Sequence, residues 1–439
     1  MAVETKSKVV VGIVGCGVVG NGAVRLLVEN ARWIAQRVGA PVVLKSVADI
    51  DWERPREFPV PPELRQTDAE TVLADPEVQI VVEAIGGTGA ARRVVEMALS
   101  RGKSVVTPNK ELIAKHGRDL LASAAQKGVD LMFEGAVGGG IPLIKPMKES
   151  LAGDSIQRIV GIVNGTTNYI LTGMARENRD FGEALAAAQQ LGYAEADPTA
   201  DVEGFDSLYK IAILAAIAFG SWISVDQVYH EGITRVTAAD IRYARQLGFA
   251  VKLLAIAAHR DGALDMRVHP AFVPLDHPLA SVGGVYNAVM VRGALVQDVM
   301  FYGRGAGAGP TGTAVVGDVL DCARNLLKGA AGRVPCRCFR QLPVLPIEQV
   351  VCRNYVRMQV TDRPGVIGKI ATCFGNRGVS LASVFQPDAE VGDHLAEVVW
   401  ITHEVPEERM RAALADIRGL PEVAAVPAVI RLEQGEREQ

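Results

Sequence analysis

The amino-acid sequence predicts an α/β protein built from three parts. These are a doubly wound parallel sheet, a second α/β (α+β) domain and a small C-terminal domain with β-α-β-β-α-β order. Apolar segments alternate with helical patterns through the first 140 residues, alanine-rich helices and glycine-rich turns follow, and a compact pattern of strands and helices starts at Asn354. A length of 439 residues is too great for one ordinary core and predicts two to four domains.

Short apolar segments of the first part predict strands at residues 8–14, 42–48, 78–85, 103–107 and 130–134. Apolar residues at helical spacing predict the helices between them, at residues 23–37, 90–100 and 112–125. Strands that are apolar along their whole length are typical of parallel sheets that are buried on both faces. We therefore expect residues 1–140 to form one doubly wound domain.

The second part mixes longer helices with strands. Helical patterns cover residues 185–191, 208–219 and 238–247, and strand patterns cover residues 156–163, 250–259 and the stretch 288–299. We expect a second domain with a mixed or antiparallel sheet at residues 141–312. A helix at residues 313–330 is expected to return to the first domain.

The third part follows a segment rich in glycine, proline and polar residues, which predicts a linker at residues 331–352. Strand patterns then cover residues 354–360, 379–385, 396–402 and 423–431. One predicted helix follows a turn at residues 361–367 and ends near Gly378, and the other covers residues 407–420. Residues 353–432 are therefore expected to form a separate small domain.

Composition excludes several classes of partner. The net charge is −4 and there is no run of lysine or arginine, so we expect no nucleic acid. The longest glycine-free apolar stretch, residues 211–219, is too short to span a bilayer, and no apolar signal segment precedes the first strand, so we expect a cytoplasmic protein without a membrane contact. The six cysteines are scattered, and the Cys336–Cys338 pair has no second pair, which favours reduced thiols over a zinc site.

A complete GxGxxG motif follows the first predicted strand and opens the first helix. Its residues are Gly15, Cys16, Gly17, Val18, Val19 and Gly20. In a Rossmann-type domain the first glycine permits a tight turn, the second lets the backbone approach a pyrophosphate, and the third lets the helix pack on the sheet. The backbone N–H groups at the helix N-terminus then favour phosphate binding. The motif predicts an NAD or NADP site, and a purely structural turn is the alternative.

The choice between NAD and NADP depends on the acid at the end of the second strand. Asp49 and Asp51 are both candidates, and a carboxylate there favours the ribose hydroxyl groups of NAD over the phosphate of NADP. However, Asp49 lies 29 residues beyond Gly20, further than is usual. Basic residues also lie close by, namely Lys45, Arg54 and Arg56. The sequence therefore leaves the cofactor preference open.

Two further segments follow predicted strands of the same sheet. Lys110 comes directly after the fourth strand, and ligands of open α/β sheets bind at the carboxyl ends of the strands. Taken alone, Lys110 also fits a surface lysine that opens a helix. The glycine-rich residues 134–142 start at Glu134 after the fifth strand. One carboxylate and exposed carbonyl oxygens suit a hard monovalent cation, and an interdomain hinge is the alternative.

Acidic residues are concentrated just before an apolar helix. They are Glu195, Asp197, Asp201, Glu203 and Asp206. Asp206 and Lys210 are four residues apart and share one helix face, and the apolar residues 211–219 predict that this helix is largely buried. Burial lowers the pKa of a lysine while a nearby carboxylate raises it, so the pair suits general acid–base chemistry. A solvent-exposed salt bridge is the alternative.

Several segments together resemble the homoserine dehydrogenase family, in the same order along the chain. They are the GxGxxG motif, Thr107-Pro108-Asn109-Lys110, and residues 134–142, 164–171 and 191–210. The resemblance covers roughly residues 8–325. It implies the NAD(P)H-dependent, reversible reduction of L-aspartate 4-semialdehyde to L-homoserine in threonine and methionine biosynthesis, with residues 141–312 as the substrate-binding and catalytic domain.

The resemblance also implies roles for individual residues. Lys210 is expected to donate a proton to the aldehyde oxygen, Asp206 to orient Lys210 and the substrate, and Lys110 to line both the substrate and the nicotinamide of the cofactor. Expected substrate ligands are Glu195, Asp201 and Asp206. Gly192 and Gly307 are expected to contact the cofactor, Gly307 from a late glycine loop. A sodium site is implied at Glu134, Val137, Gly139 and Ile141.

The C-terminal part resembles an ACT domain, a ferredoxin-like regulatory domain. Its signature is the turn after the first strand, which contains Asp362, Pro364 and Gly365 and is expected to hold an amino-acid effector. The effector that the family implies is threonine, and ACT domains and the family both imply a homodimer or homotetramer. A domain kept only for oligomerisation is the alternative.

Two other functions remain as alternatives. One is a different ACT-linked amino-acid or hydroxy-acid dehydrogenase, against which the segments at residues 164–171 and 191–210 argue. The other is a non-catalytic amino-acid sensor, against which the presence of Lys110 and Lys210 argues.

Overall fold

The computed structural model describes residues 8–335, 338–387 and 394–433. Helices in the described residues are α1 (Val18–Glu29), α2 (Ala31–Val38), α3 (Ala69–Ala74), α4 (Ala90–Ser100), α5 (Lys110–Lys127), α6 (Ile144–Lys148), α7 (Gly165–Glu177), α8 (Phe181–Gln190), α9 (Thr199–Val202), α10 (Phe205–Phe219), α11 (Ala238–Gln246), α12 (Ala308–Lys328), α13 (Val366–Asn376) and α14 (Glu407–Arg418). Strands are β1 (Val9–Val14), β2 (Val42–Ala48), β3 (Arg65–Gln66), β4 (Ile80–Glu83), β5 (Ser104–Val106), β6 (Leu131–Met132), β7 (Ile156–Ile162), β8 (Tyr229–His230), β9 (Phe249–Arg260), β10 (Ala263–Pro274), β11 (Tyr286–Gly293), β12 (Gln297–Arg304), β13 (Val351–Thr361), β14 (Leu381–Phe385), β15 (Leu395–Thr402), β16 (Val405–Pro406) and β17 (Val423–Leu432).

The chain divides into two compact units, each assembled from segments that are distant in sequence. The first contains the residues up to Ile159 together with Tyr209–Asp226 and Tyr286–Gln341. The second contains Val160–Leu208, Gln227–Val285 and the residues from Leu342 onward. The N-terminal residues 1–7 and Cys336 lie outside the described part of the chain.

The sheet of the first unit is parallel and has the order β3-β2-β1-β4-β5-β6. All six residues of β1 are buried, as expected for a strand that helices cover on both faces. The chain moves from β1 to β2 on one side and later returns to β4 on the other. This reversal creates a crevice at the carboxyl ends of β1 and β4, where doubly wound sheets bind ligands. The predicted doubly wound fold is confirmed.

Helix α12 packs on this sheet although it lies about 300 residues along the chain from β1. Its apolar side chains Val315, Val319 and Cys322 belong to the same core as β1 and α1. Gly312 of α12 meets Gly22 of α1 so closely that a Cβ atom added to Gly312 would lie 2.9 Å from the Gly22 carbonyl carbon. Glycine therefore sets how near the two helices approach.

The second unit holds a mixed sheet with the order β9-β10-β17-β13-β15-β14. Its last four strands, together with α13 and α14, form the predicted β-α-β-β-α-β pattern, and their antiparallel pairing places the first and third strands at the centre. Phe374 and Trp400 pack in the core of this C-terminal domain, with ring centroids 5.6 Å apart. The assignment to the ACT domains stays a prediction. None of the described helices has both the length and the hydropathy that crossing a membrane requires.

Two sequence-based expectations differ from the structure, and two of the longer elements were missed. The helix predicted at residues 23–37 is two helices that meet at Asn30, and the strand predicted at residues 288–299 is the antiparallel hairpin of β11 and β12. Helix α7 was missed because it begins with residues of low helix propensity. Strand β10 was missed because Asp265, Arg267 and His269 interrupt its apolar pattern, although all three are buried.

The contact between α1 and α12 predicts opposite effects of two glycine substitutions in one helix. Gly312→Ala places a methyl group against the main chain of α1 and should lower the free energy of unfolding by about 1–3 kcal/mol. Gly317→Ala meets no atom within 4 Å and should raise it by up to about 1 kcal/mol, because alanine is the better helix former. Denaturant unfolding followed by circular dichroism measures both. Equal effects of the two substitutions would contradict the close helix contact.

Candidate active site

The glycine motif forms the loop between β1 and α1. Gly15 has φ +97°, and a Cβ atom there would lie 2.5 Å from the main chain of Ala84 at the end of β4. A Cβ atom at Gly20 would lie 2.1 Å from the carbonyl oxygen of Gly15. Gly17 is different, because a Cβ atom there would meet no protein atom within 4 Å. The first and third glycines are thus required by the fold, and the second borders open space that a dinucleotide can enter.

The N-terminus of α1 is also suited to a phosphate. Gly17 is its N-cap residue and supplies no side-chain hydrogen bond to the first turn, which includes Val18 and Val19. The backbone N–H groups of a helix without a side-chain cap keep their capacity to bind an anion, and the helix dipole favours negative charge at this end. These residues fit the dinucleotide predicted from the sequence.

Asp49 contacts the glycine loop directly. Its Oδ2 accepts a hydrogen bond of 2.6 Å from the Cys16 N–H, and its Oδ1 lies 3.3 Å from Nη2 of Arg56. Arg56 in turn donates to the Cys16 carbonyl oxygen at 3.0 Å, and its guanidinium group lies over the Trp52 ring. Both oxygens of Asp49 therefore have partners within the protein. A bound ribose hydroxyl group would therefore donate to a carboxylate that also accepts a hydrogen bond from the glycine loop. Arg56 lies beside this carboxylate.

Lys110 is held at the carboxyl end of β5 by a buried network. Thr107 donates a 2.6 Å hydrogen bond to Glu83, whose side chain is fully buried at the end of β4. Asn109 caps α5 by accepting from the Leu112 N–H at 3.0 Å, so that Lys110 is the first residue of the helix. Lys110 is half-buried. The sequence analysis missed Glu83, whose position at a strand end was the available signal.

Backbone N–H groups donate to both oxygens of the Glu134 side chain. Its Oε1 accepts from the N–H groups of Leu143 and Ile144, and its Oε2 accepts from the N–H group of Lys145. The carboxylate therefore caps the start of α6. The Glu134 N–H donates to Asp318, whose pKa burial and the Glu134 charge raise to about 7.

A cation at the Glu134 loop would consequently depend on main-chain oxygens. Val137, Gly139 and Ile141 are all buried, and Gly138 and Gly139 have positive φ angles that fold the loop tightly. Carbonyl oxygens are suitable ligands for a hard cation. The described part of the chain contains no group of three or more His, Cys, Asp or Glu side chains that could hold a metal ion.

The glycine loop that contains Gly305 and Gly307 leads into α12, and this loop and the start of α12 contact the same region of the first unit. A Cβ atom at Gly139 would lie 2.4 Å from the carbonyl oxygen of Gly305. A Cβ atom at Gly22 in α1 would lie 2.2 Å from the carbonyl oxygen of Ala308, the first residue of α12. Gly307, which has φ +120°, therefore lies beside the helix that follows the dinucleotide loop.

In the second unit, two of the predicted acids accept hydrogen bonds from the same side-chain amide. The Asn164 Nδ2 group donates to Asp201 at 2.7 Å and to Asp206 at 2.9 Å. Its Oδ1 accepts from the Thr167 N–H at 2.8 Å and caps α7. Asn164 is only 4% exposed. This residue thus fixes both carboxylates and the start of α7, a role that the sequence did not reveal.

The acids differ in exposure along the segment. Asp206 is buried in the first turn of α10, Asp201 is half-buried in α9, and Glu195 is exposed. Lys210 follows one turn after Asp206 on α10 and is also buried. The prediction that burial would desolvate this pair is confirmed for both side chains, whereas the alternative of a solvent-exposed salt bridge is wrong. Gly192 is exposed and has φ +73°.

The predicted effector turn is exposed at the start of α13. Gly365 has φ +91° and is the N-cap residue of this helix, and a Cβ atom there would meet no atom within 4 Å. The Asp362 N–H donates to the His394 carbonyl oxygen at 2.9 Å. Asp362 and Pro364 are exposed.

Known proteins are similar to this chain over most of its length. A family model described as homoserine dehydrogenase matches residues 142–320, and one described as homoserine dehydrogenase, NAD binding domain, matches residues 15–134. The homoserine dehydrogenase of Synechocystis sp. is 47% identical over 433 residues, which cover 96% of this chain and 99% of the relative. The chain belongs to the homoserine dehydrogenase family.

Other members of the family are similar over the same length. The homoserine dehydrogenase of Corynebacterium glutamicum is 44% identical and covers 98% of this chain, with 96% of its own length matched. A crystal structure of a homoserine dehydrogenase from Thiobacillus denitrificans has a TM-score of 0.91 and 39% identity, covering 97% of this chain and 98% of that one. A hyperthermophilic archaeal homoserine dehydrogenase in complex with NADPH has a TM-score of 0.60 and 27% identity, covering 72% and 97%.

The family membership confirms the predicted class of enzyme. Homoserine dehydrogenases are NAD(P)-dependent oxidoreductases that act on a CH–OH group. The roles of individual residues, the cation and the effector stay predictions.

The Asn164 contacts predict a pH-dependent effect of one substitution. Asn164→Asp keeps an acceptor that caps α7 but replaces the amide donor with a third carboxylate beside Asp201 and Asp206. Repulsion raises the pKa of one carboxyl group, so kcat/KM should fall about tenfold or more at neutral pH and recover partly as the pH is lowered. Steady-state assays across pH measure this.

The matched control is Asp180→Asn, which exchanges the same two residue types at the exposed N-cap of α8. It should leave the pH profile of kcat/KM unchanged. An Asn164→Asp variant with a wild-type profile would show that the contacts of Asn164 with the two acids have no part in activity.

Proposed function

We propose that this chain interconverts L-aspartate 4-semialdehyde and L-homoserine with NADPH or NADH. The observation that carries the proposal is the buried pair on α10, in which Lys210 follows an Asp206 that Asn164 holds in place. The open space beside Gly17 and the uncapped N-terminus of α1 support binding of the dinucleotide at Gly15, Gly17 and Gly20.

The residues then act by binding, orienting and transferring one proton. When bound, the nicotinamide supplies or accepts the hydride. The Lys210 ammonium group donates a proton to the aldehyde oxygen and stabilises the negative charge that develops there. Asp206 orients Lys210 and the substrate, while Lys110 binds beside the reacting group. Glu195 and Asp201 recognise the α-ammonium group of the substrate, because carboxylates pair with cations.

The cofactor contacts extend beyond the glycine motif. Val18 and Val19 offer their N–H groups to the pyrophosphate, Asp49 lies near the ribose, and Gly192 and Gly307 contact the cofactor. The archaeal relative in complex with NADPH supports NADPH for this chain, and the proximity of Arg56 to Asp49 is consistent with that choice.

A monovalent cation, sodium in our proposal, is held by the main-chain oxygens of Glu134, Val137, Gly139 and Ile141. The burial of this loop and its two positive φ angles support a rigid ring of carbonyl groups. The Glu134 carboxylate contributes indirectly, by fixing the loop to the start of α6.

The C-terminal domain acts as an ACT domain that binds threonine at Asp362, Pro364 and Gly365. The positive φ angle of Gly365 and the open space beside it support close approach of a small amino acid to backbone N–H groups. We further propose a cytoplasmic enzyme that forms a homodimer or homotetramer.

Oxidation of NADPH and NADH with aspartate semialdehyde, followed by absorbance, tests the reaction. Wild type should oxidise the preferred cofactor, and Lys210→Ala should lower kcat by about 10²–10⁴-fold, the usual contribution of a positioned general acid. Lys127→Ala, at the exposed end of α5, serves as the control and should retain wild-type activity. Folded wild-type protein that oxidises neither cofactor, with sodium present, would contradict the proposed substrate.

Threonine inhibition tests the role of the C-terminal domain. Threonine should inhibit wild type, and Asp362→Ala should weaken its binding by calorimetry and shift the inhibition to higher concentration. Glu408→Ala, an exposed acid on α14 of the same domain, should respond like wild type. The absence of any threonine binding to wild type would show that the domain serves another purpose.

A further inference from the structure

The side chain of Arg431, in the C-terminal domain, contacts a cluster of charged groups. All members of this cluster belong to the second unit. The Arg431 side chain is 6% exposed. The guanidinium group donates to both oxygens of Glu407, at 2.7 and 3.2 Å, and to Oε1 of Glu231 at 3.0 Å. It also lies over the ring of Tyr229. A buried arginine with two carboxylate partners is held in one orientation, because the guanidinium fork fixes the direction of each hydrogen bond.

Glu231 belongs to a short segment that follows β8. The Glu231 N–H donates to the Val268 carbonyl oxygen of β10 at 2.8 Å. The Tyr229 hydroxyl group donates to the Glu231 carboxylate, and burial raises the pKa of Tyr229, so this hydroxyl stays a donor. Tyr229 and Arg431 therefore both hold the side chain of Glu231, through the same oxygen, Oε1.

The same segment packs main chain to main chain on the acidic segment of the site. The Ile233 N–H donates to the Val202 carbonyl oxygen at 2.8 Å. A Cβ atom at Gly232 would lie 2.2 Å from that oxygen and 2.5 Å from the Cα atom of Glu203. A Cβ atom at Gly204 would lie 3.3 Å from the Glu231 carbonyl oxygen. Residues 231–233 and residues 202–204 are thus joined by close main-chain contacts.

Residues 202–204 lead directly into the first turn of α10. Gly204 accepts the Leu208 N–H at 2.9 Å, and the Phe205 ring contacts His230 with centroids 4.7 Å apart. Asp206 follows in the same turn, and α10 also carries Lys210. The position of Glu231 consequently affects the start of the helix that carries the proposed proton donor.

We propose that Arg431 is a positioning residue for the reaction, which acts through Glu231 to hold the acidic segment and the first turn of α10 in place. The inference rests on the proposed function for its consequence in catalysis. If Arg431 has this role, the last strand of the C-terminal domain contributes to substrate turnover even when no effector is bound.

The same unit provides a matched control in a second buried arginine. Arg357 of β13 donates to Asp240 at 2.8 Å and to Glu397 at 2.8 Å, and its side chain is also 6% exposed. Asp240 caps its own helix, α11, through Thr237 and also accepts from Tyr355. Arg357 therefore joins the C-terminal domain to α11, whereas Arg431 joins it to the segment that packs on residues 202–204.

Full-length Arg431→Lys, Glu231→Gln, the double variant and Arg357→Lys are compared with wild type. We expect each single variant at Arg431 or Glu231 to lower kcat/KM for aspartate semialdehyde at least fivefold, with the cofactor dissociation constant unchanged. The double variant should be no less active than the less active single variant, because both substitutions act on the same Arg431–Glu231 contact. Arg357→Lys should lower the unfolding midpoint but keep kcat/KM within twofold of wild type.

Hydrogen exchange of peptides that cover residues 199–208 provides a readout that does not require activity. Exchange there should be faster in Arg431→Lys and Glu231→Gln than in wild type, and unchanged in Arg357→Lys. Unchanged hydrogen exchange together with unchanged kcat/KM in Glu231→Gln would overturn the proposal. The proposal would also be overturned if the losses of kcat/KM in the two single variants multiplied in the double variant, or if Arg357→Lys showed the same losses.

The experiment separates this proposal from the proposed function. Wild type that is inactive on aspartate semialdehyde would refute the substrate, and the exchange data alone would then decide whether Arg431 positions the segment. If Arg431→Lys fails to fold, Glu231→Gln decides the outcome, because it keeps the shape of a half-exposed side chain.

Discussion

The region around the glycine motif depends on one constraint. At several glycines, two segments of main chain approach each other so closely that a side chain would not fit between them. Gly15 and Gly20 let the first loop turn against β4, Gly22 admits the start of α12, and Gly139 admits the loop that contains Gly305. A single methyl group at any of these positions would overlap main-chain atoms, which cannot move aside as a side chain can. The positions of these loops are therefore set by the packing of main chain within the first unit.

The acidic segment of the second unit depends on a different kind of interaction. Burying Asp206 is costly unless its oxygens are paired, and the Asn164 amide supplies one donor to it and one to Asp201. Buried charges recur further along the same unit, where Arg357 and Arg431 each bridge two carboxylates. Hydrogen-bonded charge therefore contributes to the geometry of this unit together with its apolar core.

The sequence predicted the local features of the protein and missed those that depend on distant partners. The glycine motif could be interpreted from its own spacing, because Gly15 and Gly20 are required by nearby main-chain atoms and Gly17 borders open space. The role of Asn164 could not, because the two acids that it binds lie 37 and 42 residues further along the chain. Strand β10 was missed for a different reason, since Asp265 and Arg267 look exposed in sequence and are buried as an ion pair. The contacts of Glu134 with the N–H groups of Leu143 and Ile144 were also missed, because the sequence does not show which groups its carboxylate binds.

Titration of NADPH and NADH into wild type and Gly17→Val tests most directly that the glycine loop binds the cofactor. A side chain at Gly17 meets no protein atom within 4 Å, and its φ of −72° is accessible to valine, so the variant should fold normally. We predict that wild type binds the cofactor and that Gly17→Val loses binding by at least tenfold with an unchanged unfolding midpoint. Equal affinity of the two proteins would contradict the account, because it would mean that the dinucleotide does not occupy the space beside Gly17.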